Sequence, residues 1–217
     1  MREPLQNATV RTGLLREPLQ NAYTRLMPTK TFQTLLARAH SQFGYLTPSD
    51  ATAVGVQQST LRSMASRGQV EHIARGIYRM PDVPSGPLDP YMETALRVGD
   101  DAVLSHETAL ELYAICDVNP PQVHLTVPSS YRTKRILPGY YELHYEDLAD
   151  DQLSTFDGLP IVTINQAIWG AIDNLAGEHL ITQAIQNASS KGLLTDLEEQ
   201  QLSGYKLLRF GGVLADA

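Results

Sequence analysis

Residues 57–67 read QQSTLRSMASR, and Gln57, Gln58, Ser59, Thr60, Arg62, Ser63 and Arg67 are hydrogen-bonding side chains with no acid among them. Gln pairs bidentately with adenine, Arg with guanine, and Ser or Thr with either a base edge or a phosphate. On one helix, this set has the chemistry needed to read a duplex through its major groove. The next residues, RGQVEHIARGIYRM at 67–80, form two half-apolar runs about Gly76 and carry Arg75 and Arg79. That pattern predicts a hairpin whose two guanidinium groups are offered to phosphates or to a narrow minor groove. Lys30 and Arg38, on an earlier helical stretch, would add backbone contacts. A further basic loop, SSYRTKR at 129–135, places Arg132, Lys134 and Arg135 beside Tyr131 as a secondary contact for DNA or for a protein partner.

Other chemistries find less support. Ser105, His106 and Glu107 are consecutive at a predicted helix start, where neighbours point in different directions, so they do not form a Ser-His-acid triad by themselves. Ser105 reads as a helix cap. His106, His124 and His144 fall on three elements without metal-ligand spacing and read as ordinary buried or surface histidines. The acidic run EDLADDQL at 146–153 lacks the alternating oxygen ligands and glycine of a calcium loop and reads as a solvated turn. The sequence holds no phosphate-cradling G-x-x-x-x-G-K-[ST] and no G-x-G-x-x-G. The expectation is a protein without catalysis, metal or cofactor. The single Cys116 follows an apolar run and reads as a buried structural thiol.

These side chains need a scaffold, and the local signals supply one. TFQTLLARAHSQF puts Phe32, Leu35, Leu36 and Ala39 on one helical face, and Gly44 ends the helix. Thr47, Pro48 and Asp50 are an N-cap, a first-turn proline and an N3 carboxylate, starting a short helix that stops at Gly55. STLRSMASR is a third helix with Leu61, Met64 and Ala65 inward, closed by Gly68. Helix, short helix, turn, helix and hairpin are the order of a winged helix-turn-helix. Ile73, Ile77 and Tyr78 are expected to fasten the hairpin to the helices.

Residues 81–90, PDVPSGPLDP, have the composition of an extended linker. Beyond it helices alternate with strands: helices in YMETALRVG and HETALELYAI, a short run AVLS, strands VHLTV, YYELHY and PIVTI, and three helices starting at Asn165, about Glu178 and Thr195. The fold class expected is therefore α+β (mixed α/β), an N-terminal winged helix-turn-helix over 28–80 and a C-terminal α/β domain over 91–217. Residues 1–27 carry REPLQNA twice, at 2–8 and 16–22, and read as a flexible arm or as an over-extended start before Met27. A basic arm lying on nucleic acid is the functional alternative.

Of the 217 residues, those up to 80 hold ten Lys and Arg against four Asp and Glu, and those from 81 onward hold seven against twenty. The two parts carry +6 and −13, which gives the net −7. A basic part joined to an acidic one points to a polyanion partner for the first alone. No apolar run is long enough to span a bilayer, no secretory h-region is present, and one cysteine makes no internal disulfide, which together favour the cytoplasm.

The run GYLTPSDATAVGVQQSTLRSMASRGQVEHIARGIYRM, followed by LSHETALELYAICDVNPPQVHLTVP and GLPIVTINQAIWGAID, resembles the AbiEi family, the antitoxin and transcriptional-regulator component of abortive-infection toxin-antitoxin systems. The resemblance runs from about residue 28 to 175. It implies a winged helix that represses the antitoxin's own operon at inverted repeats, bound by a homodimer or by two monomers. It also implies a C-terminal domain that neutralises a nucleotidyltransferase-like toxin, although this second domain is short for the family. The alternative is an interaction antitoxin that masks its toxin through the acidic part, with DNA binding secondary.

Overall fold

The structure, a computed structural model, describes residues 29–211; the duplicated REPLQNA segments and Met27 lie outside them. The described residues form eight α-helices and two sheets, a mixed α+β fold. The first helix, α1 (Lys30–His40), is capped by Thr29, whose Oγ1 accepts from the Phe32 amide. The chain then turns through Gly44, whose φ of 89° and contact with Val83 leave no room for a side chain. It enters a two-residue strand, β1 (Tyr45–Leu46). The Thr47-Pro48-Asp50 signal forms a complete capping box at α2 (Pro48–Ala53), and Gly55 follows at φ 75°. Next come α3 (Gln58–Ser66), β2 (Glu71–Ala74) and β3 (Ile77–Arg79), with Gly68 and Gly76 both at positive φ.

The small sheet has the order β1-β3-β2, antiparallel throughout, with β3 central. Its two faces are covered by different partners. Tyr78 and its neighbour on β1, Leu46, join Leu35, Ala39, Leu61 and Met64 in a core built by the first three helices. Ile77 and Tyr45 lie on the other face and join the larger core of the rest of the chain. The hairpin thus fastens to the helices through Tyr78, while Ile77 and the half-buried Ile73 face away from them.

The expected linker contains no regular element before α4 (Asp89–Val98), yet Met80 and Val83 are buried in the first core. After α4 follow β4 (Val103–Leu104), α5 (His106–Leu112), β5 (Val123–Val127), β6 (Tyr141–Tyr145), a 3-10 turn at Asp150–Gln152, β7 (Leu153–Phe156), β8 (Leu159–Val162), α6 (Ile164–Asp173), α7 (Glu178–Ser190) and α8 (Asp196–Phe210). These strands make one mixed sheet, β6-β5-β4-β8-β7, in which β5 runs parallel to β6 and β4 parallel to β8. The acidic turn therefore leads into a strand, β7, that pairs antiparallel with β8. Leu104, Leu125 and Ile161 of the sheet and Ile168, Ile172 and Ile181 of the helices are fully buried in this second core. Among the described residues no helix is long and apolar enough to cross a membrane.

Candidate nucleic-acid interface

The third helix divides by its own periodicity. Leu61 and Met64 are buried, which leaves Gln58, Arg62 and Ser66 on one exposed stripe and Ser59, Ser63 and Arg67 on the next. Gln57 is the exposed N-cap residue, and Thr60 is half-buried. The Gln58 amide reaches the Thr52 hydroxyl at 3.4 Å, and the Arg67 guanidinium folds back on the Ser63 carbonyl at 3.0 Å. Arg62 has no ion-pair partner among the described residues.

The first stripe faces an open cleft of about 810 Å³. Gln58, Arg62 and Ser66 line one wall, His72, Arg75 and Gly76 of the hairpin another, and Arg135 enters from the basic loop. Three guanidinium groups from separate elements thus meet one space, with Ser49 and Asp100 joined across it by a 2.9 Å hydrogen bond. Sequence reasoning missed His72 and Ser49. The signal for His72 was present: it lies opposite Tyr78 in the hairpin register and stacks near its ring, with centroids 5.1 Å apart.

Not every expected contact residue faces this space. Arg79 is turned away and is only 9% exposed. Its guanidinium pairs with Asp89 at 3.1 Å and donates to the Val83 carbonyl and Ser85 hydroxyl at 2.9 Å. The expectation that it grips phosphate is corrected by strand alternation: Arg79 shares a face with Ile77, and that face is covered. Arg38 is committed to Asp50 at 2.7 Å. Lys30 is exposed at the start of α1 and lies outside the cleft. In the loop, Tyr131 donates to the Val98 carbonyl and Arg135 to those of Leu96 and Arg97, which fixes the loop to the end of α4. Arg132 and Lys134 are exposed beyond it.

A second polar constellation lies in the interior. The His106 and His144 rings stack at 3.5 Å, His124 Nδ1 is 3.0 Å from His144 Nε2, and His106 Nδ1 is 2.9 Å from Ser105 Oγ. The left-handed backbone of His106, φ 51°, corrects the view that neighbours at a helix start must diverge. Ser105 occupies the N-cap position, but its hydroxyl serves His106 and makes no capping bond. Burial, reinforced by the other two rings, pushes His106 down to about 3, and burial, then His124, brings His144 to about 4 despite Glu142. Ser105 is 1% exposed and His106 6%, so the pair is buried. Glu107 Oε1 accepts from Asn174, while its Oε2 is buried without a hydrogen-bond partner. Among the described residues no group of three or more His, Cys, Asp or Glu is placed to hold a metal ion. Cys116 is half-buried, and burial pushes its thiol up to about 11, which disfavours the reactive thiolate.

The first lobe is a small three-helix, three-stranded module with an exposed polar helix beside a hairpin that presents Arg75. Residues 33–81, less than a quarter of the chain, match the family model described as transcriptional regulator, AbiEi antitoxin. The match supports an antitoxin and regulator role. Both segments around Ser105–Leu110 and Gly158–Asp173 lie outside the matched residues. No curated protein matches the chain. Among solved structures it is similar to the RV2827C protein of Mycobacterium tuberculosis, 16% identical over 79% of this chain and 81% of that one, with a TM-score of 0.36, too loose a likeness to argue from.

Proposed function

We propose that the chain is a DNA-binding repressor of the AbiEi type, in which residues 28–80 act as a winged helix-turn-helix and residues 91–217 as a separate antitoxin domain. The observation that carries this reading is the exposed stripe of Gln58, Arg62 and Ser66, with Arg62 free of any ion pair among the described residues, opening on the same cleft as Arg75 and Arg135. In the proposal α3 enters the major groove, Gln58 and Arg62 meet base edges, Ser59, Ser63 and Arg67 hold the adjacent strand, and Arg75 holds flanking phosphates. Arg132, Lys134 and Arg135 extend the cationic surface from the second lobe. Inverted repeats upstream of the chain's own gene are the expected operator, bound by a homodimer or a pair of monomers. No catalytic step, metal or cofactor enters this reading, and its setting is the cytoplasm.

A gel-shift titration on that upstream region at two salt concentrations tests it. Arg75→Ala should weaken binding to every duplex and make it less dependent on salt by about one phosphate contact. Arg62→Ala should change sequence preference at a cost of about 1–3 kcal/mol. An unchanged salt slope removes the hairpin from the interface.

The charge of the second part, −13 from residue 81 onward, favours a second role in the same protein. That surface masks a basic, nucleotidyltransferase-like toxin. A toxin gene directly downstream, and neutralisation that survives Arg62→Ala, are the expected results.

A further inference from the structure

A second open cleft, of about 770 Å³, lies where the small sheet meets α4 and the β6 edge. No role described above uses it. Four of the chain's ten tyrosines, Tyr45, Tyr91, Tyr140 and Tyr141, gather around it together with Glu71 and Glu93. Ring faces carry the negative lobe of the aromatic quadrupole, and carboxylates add formal charge, so such walls select a cation that also has an apolar body to bury.

The cleft already holds one guanidinium in this manner. Arg79 lies 5.8 Å from the Tyr45 ring centroid and is neutralised by Asp89. Glu93 is likewise engaged, accepting from the Tyr45 hydroxyl and pairing with Arg97. Burial and Glu93 push the Tyr45 phenol up to about 12, and burial and Glu111 do the same for Tyr91, so both stay neutral at ordinary pH. Glu71 is different. It is exposed on β2 and makes no ion pair among the described residues. Tyr140, 54% exposed and T-shaped to Tyr141 with ring centroids 4.8 Å apart, lines the same cleft.

We propose that this cleft binds a small organic cation, a guanidinium or amine on an apolar stem, with its head on Glu71 and its stem against Tyr140. Because the walls come from both lobes, the occupant braces the hairpin against α4 and β6. The proposal stands apart from DNA binding and is tested without it.

Isothermal titration of the full chain with butylguanidinium, against its neutral isostere butylurea, provides the test. The expected result is saturable one-site binding of the cation and none of the urea. Glu71→Gln and Tyr140→Ala, both at exposed positions and checked by circular dichroism, should each weaken binding by about threefold or more. Equal binding of butylurea would overturn the proposal, as would unchanged affinity in either folded variant. So would the absence of saturation by about 20 mM cation.

Discussion

The α3 stripe of the first lobe and the histidine cluster of the second treat polar side chains in opposite ways. In the first, Gln58, Ser59, Arg62 and Ser63 stand in solvent on a helix anchored by Leu61 and Met64, with Ala65 packed beside them. In the second, Ser105, His106, Glu107, Thr108, His124 and Thr126 are all buried, and most have their hydrogen bonds made internally. A buried polar group that is already partnered has nothing left to offer a ligand, whereas an exposed and uncommitted one has. The Ser-His pair, chemically the more reactive, is therefore the poorer functional candidate, and the plain Gln and Ser of α3 are the better one.

The largest expected effect tests the boundary between these regimes. Asp89→Ala leaves the Arg79 guanidinium buried without its counter-charge and should destabilise the fold by about 3–5 kcal/mol. Arg79→Met combined with Asp89→Leu should recover most of that loss in urea denaturation. If the single substitution is harmless, Arg79 is free to swing out, and its exclusion from the interface fails.

Gly170→Ala comes next. Its new Cβ would lie 2.9 Å from His106 Cδ2 and Nε2, and the ring cannot retreat because His144 is stacked on it. We expect a loss of about 1–3 kcal/mol, read by the chain's one tryptophan, Trp169, which neighbours the site and lies 4.2 Å from the Tyr205 ring.

Acid should separate the lobes further. His106 and His144 are held below their ordinary value of 6.5 by burial, so the unfolded chain takes up protons that the folded chain refuses. The groups around them are Ser105, Glu107, His124, Glu142 and Asn174. Their stabilising contribution is complete above pH 6.5 and declines as pH falls through 6.5 toward 4 and then 3. In the first lobe, burial of Asp50 is outweighed by hydrogen bonds from Gln42, Thr47 and Arg38, which hold its carboxyl below 3.8. That contribution is present above 3.8 and lost only below it. Melting curves read at Trp169 should accordingly shift down between pH 6.5 and 4.5, and His144→Gln should flatten the shift.

The smallest effect sharpens the contrast from the other side. Ser63→Ala and Gln58→Ala should change stability by less than about 0.5 kcal/mol while altering operator binding. A larger loss of stability in either would show that the stripe is structural after all.

Much of the first lobe was legible because its signals are local. Thr47, Pro48 and Asp50 specify a helix start within four residues, and Gly55, Gly68 and Gly76 mark turns where φ is positive. What escaped was decided by distant partners. Tyr45–Leu46 is a strand only because β3 pairs with it, and Leu153–Phe156 only because β8 does. The fate of Arg79 depended on whether one or both hairpin faces would be covered, which alternation within the hairpin does not state. The meeting of three histidines required the parallel pairing of β5 with β6 and the placement of the α5 start beside them. Residue type suggested the α3 contacts, but only the assembled cleft put Arg135 and His72 beside them.

The two-sided covering of β3 has a further consequence. With Tyr78 locked into one core and Ile77 into the other, a fragment cut before Asp89 would bare an apolar flank comprising Tyr45, Ile73 and Ile77. The first lobe therefore cannot be treated as a detachable cassette: severing it trades a clean tether for a sticky edge.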